Sequence, residues 1–296
     1  MNYKKLGKSE LMVSEIAFGC MSLENDHEVN KQLLLNAFNN GINFFDTADL
    51  YAKGENEITI GKAFKGLRDK VILATKVGNQ LRSDGSGWDW NPTKKYILEA
   101  VDKSLDRLQT DYIDLYQLHG GTSDDPISET IEAFELLKQQ GKIRAYGISS
   151  IRPNVIREYV KHSHIDSVMM QYSLLDRRPE ESCFDLLYHN NINVLVRGSL
   201  VQGLLINKPS KTYLNHSKEE VIKAAEVVKD LRGRTAQEVA IQFALQPPAV
   251  SSVVIGIRST DQLNEALQAV NSNPLSMKEI IHLQANTPAN RYEQHR

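Results

Sequence analysis

Residues 41–57 read GINFFDTADLYAKGENE. An apolar run over 42–45 stops abruptly at Asp46 and Thr47, and Tyr51 follows five residues after the aspartate. Taken alone, this is a buried strand running into a polar loop, and a single aspartate there says little. The rest of the chain gives it context. Short runs rich in β-branched and aromatic residues stand at 15–19, 42–47, 71–76, 113–119, 143–149, 168–173, 192–198 and 251–256. Segments of helical period separate them, among them 28–40, 93–108, 128–140 and 235–246. Gly41 and Gly141 suit left-handed helix ends, while Thr93 after Pro92, and Pro153, suit helix starts. Eight strands alternating with helices, with no break in composition, predict an α/β chain folded as one (β/α)8 TIM barrel over 1–296. Residues 1–12 read as an N-terminal hairpin closing the barrel floor, 199–234 as a long seventh βα loop, and 272–296 as a C-terminal tail lying on the barrel. A loop of that length in a compact domain tends to be functional.

Bulk composition narrows the classes of function. Hydrophobic residues make up 41% and charged residues 24%, with a formal net charge of −2, as in soluble globular proteins. There is no long basic block to attract nucleic acid or an anionic membrane surface. No apolar run approaches the roughly 20 residues that span a bilayer. The start, MNYKKLGKSELMVSE, lacks the apolar centre of a secretory signal. Cys20 and Cys183 lie far apart without metal-type or CxxC spacing, as expected of reduced thiols in a cytoplasmic protein. His162 and His164 have no third ligand in view, so no metal site is expected. Nothing in the sequence specifies an oligomeric state.

Barrels of this kind place their active sites at the C-terminal ends of the strands. Strand two ends in Asp46, with Tyr51 in the loop beyond; strand three ends in Lys76 and strand four in His119. Strand five ends in Ser149 and Ser150, strand six carries Gln171, strand seven ends in Arg197, and strand eight leads to Gly256 and Arg258. A lone terminal histidine or lysine is most often structural or solvated. Several polar groups meeting on one rim have a chemical logic instead. A phenol with an unperturbed pKa of about 10 is a poor acid at neutral pH. A neighbouring lysine cation stabilises the phenolate, and a carboxylate keeps that lysine charged and oriented. Asp46, Tyr51, Lys76 and His119 therefore read as a general-acid unit, with the histidine directing a substrate carbonyl oxygen. There is no GxSxG elbow, no HExxH and no GxGxxG after the first strand, so hydride or electrons are expected from a bound cofactor.

With these motifs in place, the chain resembles the aldo-keto reductase superfamily over nearly its whole length. The matching segments are the opening stretch, ILATKVG at Lys76, SLDRLQTDYIDLYQLHG before His119, GKIRAYGISS, MMQYSLLDRR, GSLVQGLL at 198–205 and VVIGIRSTDQLNEAL at 253–267. The resemblance implies an NADPH/NADP+-dependent oxidoreductase that reduces aldehydes or ketones, with Asp46, Tyr51, Lys76 and His119 as its catalytic tetrad. Ser149 and Gln171 would hydrogen-bond the nicotinamide carboxamide, and Ser150, in place of the usual asparagine, would adjoin the cofactor with one carboxamide contact fewer. Gly198, Ser199, Leu200, Gln202 and Gly203 would clamp the pyrophosphate. Arg258 and Gln262 would hold the adenosine 2′-phosphate region, Glu265 the adenine, and Gly19 and Gly256 would also adjoin the cofactor.

Three departures from the family pattern stand out. Ser149-Ser150 replaces the usual Ser-Asn pair, Arg197 stands where an aromatic residue often stacks on the nicotinamide, and Glu265-Ala266 replaces Glu-Asn. A guanidinium is planar and can also stack. Trp88 and Trp90 could line the substrate mouth beside Tyr51 and His119, or could pack their loop onto the barrel. Cys20 reads as an inert buried thiol. The enzymatic reading has a rival: a cofactor-binding, redox-sensing module that regulates a partner protein, as the superfamily's potassium-channel β-subunits do. A phosphate-binding barrel isomerase fits less well, because it gives Lys76 beside Asp46 no task.

Overall fold

The computed structural model describes residues 1–24 and 26–296. It opens with an antiparallel hairpin of β1 (Tyr3–Lys5) and β2 (Met12–Ser14). The barrel strands are β3 (Ile16–Gly19), β4 (Phe44–Asp46) and β5 (Ile72–Val77), then, after a small hairpin of β6 (Asn79–Leu81) and β7 (Trp88–Trp90), β8 (Ile113–Leu118). β9 (Ile143–Ser149), β10 (Ser167–Gln171), β11 (Asn193–Arg197) and β12 (Val250–Gly256) complete it. The ring runs β3-β4-β5-β8-β9-β10-β11-β12 and closes back on β3, with every pairing parallel.

Helices return the chain between strands: α1 (His27–Asn39), α2 (Glu55–Ala63), α3 (Lys94–Leu108), α4 (Ile127–Gln139), α5 (Pro153–His162) and α6 (Cys183–His189). Gly41 (φ +91) and Gly141 (φ +74) close α1 and α4 in the left-handed region, where a side chain would be strained. The seventh connection is not all loop. It holds α7 (Lys218–Lys229), started by a Ser217–Glu220 capping box, and then α8 (Ala236–Leu245), which is buried from Gln237 to Ala244. After β12 come α9 (Thr260–Asn271) and α10 (Met277–Asn286), so the expected C-terminal tail is helical for much of its length. The remaining residues dock on the segments that follow β9 and β10. Arg177 donates to Asn290 and Thr287, Tyr292 to Glu181, and Asn154 to the His295 carbonyl at 2.9 Å.

Side chains alternate across each strand, and this separates two cores. Leu6, Leu11 and Val13 of the hairpin plug the floor and pack with Ala17, Phe44, Ala74, Leu115, Ala145, Met169 and Leu195 inside the barrel. Phe18, Phe45, Leu73, Tyr116, Ile148 and Val168 point outward into the layer under the helices. Continuing the inward parity by two residues gives Gly19, Asp46, Lys76, Gln117, Gly147 and Ser149, Gln171 and Arg197. The polar rim is thus the upper continuation of an apolar interior stripe.

Helix packing sets close tolerances. At Gly61, in the middle of α2, an added Cβ would lie 2.6 Å from the Leu108 carbonyl at the end of α3. Glycine in an exposed helix costs up to about 1 kcal/mol relative to alanine, but here the collision is with backbone and outweighs propensity. Gly61→Ala is therefore expected to destabilise the chain by about 1–3 kcal/mol, read as a lower denaturation midpoint; a stabilised variant would contradict this packing.

Candidate active site

The mouth of the barrel holds a cavity of about 540 Å³, lined among others by Tyr51, Lys76, His119, Ser149 and Arg197. At its base Lys76 Nζ donates to Asp46 Oδ2 at 2.7 Å and to the Thr47 carbonyl at 2.6 Å. Lys76 is 1% exposed and Asp46 4%. A buried ammonium persists only when paired and hydrogen-bonded, and both conditions are met. Burial alone would lower the Lys76 pKa. The Asp46 carboxylate and Tyr51 outweigh it and raise it, so the ammonium stays charged. Burial pushes the Asp46 carboxyl up, and its bond to Lys76 pulls it back. Gln117, one inward position below His119, donates to the other Asp46 oxygen at 3.5 Å.

Tyr51 begins a tight turn, Tyr51–Gly54, whose next residues Ala52 and Lys53 both have positive φ. Its ring centre lies 5.2 Å from Lys76 Nζ, and it meets His119 edge to face at 5.8 Å. Burial raises the phenol above the usual tyrosine range, while Lys76 and the Arg197 charge pull it down. The expectation that the lysine would leave the phenol more acidic is corrected here: its pull is present, but desolvation is larger. His119 is held neutral, its pKa lowered to about 3 by burial and then by the Lys76 and Arg197 charges. Its Nδ1 is buried without a partner. An unpaired lone pair is better tolerated than an unpaired N–H, which puts the proton on Nε2 as a donor.

The barrel divides these groups. Adjacent strands β4, β5 and β8 lead to Asp46, Lys76 and His119, and β9, β10 and β11 opposite carry Ser149, Gln171 and Arg197. Ser149 and Ser150 face the cavity. Arg197 Nη1 donates to Gln171 Oε1 at 3.2 Å. Gly198 has φ +76; Ser199 is buried, Leu200 half-buried, and a turn over Val201–Gly203 leaves Gln202 exposed. Gly19 and Gly256 are paired across β3 and β12. Arg258 is exposed at the start of α9, where its N–H donates to Gln262 Oε1 at 2.9 Å; Glu265 is exposed and Ala266 buried on that helix.

The two tryptophans part company. Trp88 lines the cavity. Trp90 donates its Nε1–H to Asp125 at 2.9 Å and packs over Gly78 and Gly120, outside the lining. Cys20 and Cys183 are both buried and free. His164 pairs with Glu135 and His162 lies near Glu158. Several residues near the site escaped sequence reasoning: Gln117, Asn79, Arg152 and, from the seventh connection, Tyr213. Inward parity could have found Gln117, two positions before His119. No local signal marks Tyr213.

A barrel rim with a buried lysine–carboxylate pair under a phenol defines an oxidoreductase class within TIM barrels. The sequence profile of the aldo/keto reductase family matches residues 15–286. The chain belongs to the aldo/keto reductase family. It is 52% identical to the solved holo form of the aldo-keto reductase AKR11C1 from Bacillus halodurans, covering 100% of this chain and 99% of that one with a TM-score of 0.96. It is 49% identical to a Bacillus subtilis (strain 168) protein named as the uncharacterized oxidoreductase YqkF, over the full length of both. It is also 29% identical to the NADH-specific methylglyoxal reductase of Escherichia coli (strain K12), over 90% of this chain and 93% of that protein.

The neutral state of His119 has a measurable consequence. Its imidazole signals should not move between about pH 5 and pH 8, where free histidines titrate. The unfolded chain takes up this proton near about 6.5, whereas the folded chain does so only at about 3. Between those values the unfolded state binds more protons, so stability falls as pH drops through the window. His119→Gln should remove that part of the acid loss; an NMR titration with a midpoint near 6.5 would refute the assignment.

Proposed function

We propose that this protein reduces the carbonyl group of small aldehydes or ketones with NADPH, Tyr51 supplying the proton. The observation that carries this reading is the stacked arrangement of Asp46, Lys76, Tyr51 and His119 at the base of one cavity. The far side of the rim has the chemistry of a dinucleotide phosphate site. Positive-φ glycines at 198 and 203 let backbone come close to a ligand, and Arg258 stands beside the N-terminus of α9. Ser149 and Gln171 would hold the nicotinamide carboxamide, with Ser150 beside them, and Gly19 and Gly256 would flank the ring. Gly198, Ser199, Leu200, Gln202 and Gly203 would hold the pyrophosphate, and Arg258, Gln262 and Glu265 the adenosine end. A bound nicotinamide would supply the hydride.

The chain's own part is proton delivery and orientation. The Nε2–H of His119 hydrogen-bonds the substrate oxygen and holds it toward the Tyr51 hydroxyl. As the oxygen gains charge, the phenol proton moves to it, and Lys76, kept charged by Asp46, stabilises the phenolate left behind. Trp88 forms part of the substrate wall. The relatives, named as an oxidoreductase and two reductases, support catalysis over the partner-sensing module. Free, buried thiols suit a cytoplasmic setting. The chain acts as one domain over 1–296, since the C-terminal segment is bonded to the segment that follows β10.

Two substitutions test the reading. Tyr51→Phe removes the acid and little else, so NADPH-dependent carbonyl reduction should fall by at least about 10²-fold with NADPH affinity nearly unchanged. A variant reducing aldehydes at the wild-type rate would sink the assignment. Cofactor choice needs its own measurement, since one relative is named as NADH-specific. Arg258→Ala should weaken NADPH by about tenfold or more, the worth of a charge-assisted bond, and leave NADH unaffected; equal losses would mean that Arg258 does not read the 2′-phosphate.

A further inference from the structure

The side-chain amide of Gln171 is held from two directions. Arg197 donates to Oε1 at 3.2 Å, and Nε2 donates to the Tyr213 hydroxyl at 3.0 Å. A guanidinium has no acceptor, so Oε1 must face Arg197, and Nε2 then faces the phenol. Flipping the amide would set two donors against each other at Arg197. Gly198 leaves room for this side chain: a Cβ there would crowd Gln171 Cγ at 3.2 Å, at a φ of +76.

Tyr213 reaches this place from far along the seventh connection. A tight turn presents it, with the Tyr213 N–H donating to the His216 carbonyl at 3.1 Å and the His216 N–H donating back at 2.9 Å. Leu214, within the turn, has φ +51, an uncommon conformation for leucine. The tyrosine itself is 8% exposed, so its ring is packed and only its hydroxyl meets Gln171.

We propose that Tyr213 is a positioning residue that fixes the Gln171 amide in one orientation and so couples the seventh connection to nicotinamide binding. With one N–H given to Tyr213 and one lone pair taken by Arg197, Gln171 has one N–H and one lone pair left. A carboxamide offers the complementary pair, a carbonyl oxygen and an NH2. This inference rests on the proposed reading that Gln171 meets the nicotinamide carboxamide. Without the phenol the amide keeps only its Arg197 bond, an anchor at one end, and is free to swing about its last bond and present the matching pair only part of the time.

A double-mutant cycle on the full chain tests it, with NADPH dissociation constants from fluorescence titration. Gln171→Met should weaken NADPH by about tenfold, and Tyr213→Phe by about threefold to tenfold, the range of a hydrogen bond. The double variant should bind no worse than Gln171→Met alone. With the 3-acetylpyridine analogue of NADPH, which lacks the carboxamide NH2, the Tyr213→Phe loss should shrink. Wild-type affinity in Tyr213→Phe, or losses that simply multiply in the double variant, would overturn the inference while leaving Gln171 on the carboxamide. No loss in Gln171→Met would overturn the carboxamide reading and this inference with it.

Discussion

The ion pair between Lys76 and Asp46 is the constraint on which the rest of the site depends. Both groups are almost wholly withdrawn from water, and removing one partner of such a pair typically costs about 3–5 kcal/mol because the other is left buried and uncompensated. The surrounding backbone is organised to prevent that. Asp46 pairs in register with Ala74, and the chain beyond it stays attached to β5: Thr47 N–H donates to the Ala74 carbonyl at 2.8 Å and Asp49 N–H to the Lys76 carbonyl at 3.2 Å. The segment that carries Tyr51 is therefore stitched to the strand that carries Lys76. The distance between phenol and ammonium is set by backbone bonds, not by a flexible loop.

The outward face of the same strand continues the support. Thr75, between inward-facing Ala74 and Lys76, donates to Glu57 on α2 at 2.6 Å, and Glu57 in turn pairs with Arg107 of α3 at 2.6 Å. α2 begins directly after the Tyr51 turn. Gly54, with φ +95, lets the Arg107 side chain pass; a Cβ there would meet it at 2.8 Å. Ala52 and Lys53 sit in the left-handed region just before it, each at a cost of about 1–3 kcal/mol. Strain of that size persists only where the surroundings over-determine the backbone. Here the Glu57–Arg107 pair, the β5 ladder and the Lys76–Asp46 bond hold the two ends of the turn.

Much of this was legible because barrel chemistry follows a period of two. Once the strand ends were placed, Asp46, Lys76, His119, Ser149, Gln171 and Arg197 fell on the inward parity of their strands with no further information. Gln117 obeys the same parity and was passed over because a glutamine inside a strand carries no chemical signature. What parity cannot reach is anything delivered by a loop. The GSG tip between Trp88 and Trp90 and the strand before it gave no hint of a hairpin that would aim one ring at the cavity and the other at Asp125. Tyr213 lies far from Gln171 in sequence, and a turn with a left-handed leucine has no compositional mark. The helices inside 199–234 and 272–296 were hidden for a related reason. Their amphipathic faces pack on one another and not on a strand, so no strand-helix alternation announced them.

The direction of the Tyr51 shift bears on how such a site works. A cation beside a phenol suggests a permanently acidic group, yet burial dominates and the phenol is held above its ordinary range. On the proposed reading this is an advantage. A phenol that ionised in the resting site would have no proton to give, and a phenolate paired with Lys76 would be a stable dead end. Desolvation would then keep the proton on Tyr51 until a substrate oxygen began to gain negative charge. Only then would the attraction of Lys76 act in full, since a neutral phenol carries no net charge for it to act on. Arg197 across the rim adds positive charge toward both Tyr51 and His119. That charge would further stabilise an oxyanion or phenolate, and it helps to keep His119 neutral. On that reading the lysine, the arginine and the buried base of the site divide the work: burial would store the proton, and the two cations would stabilise the charge that its departure creates.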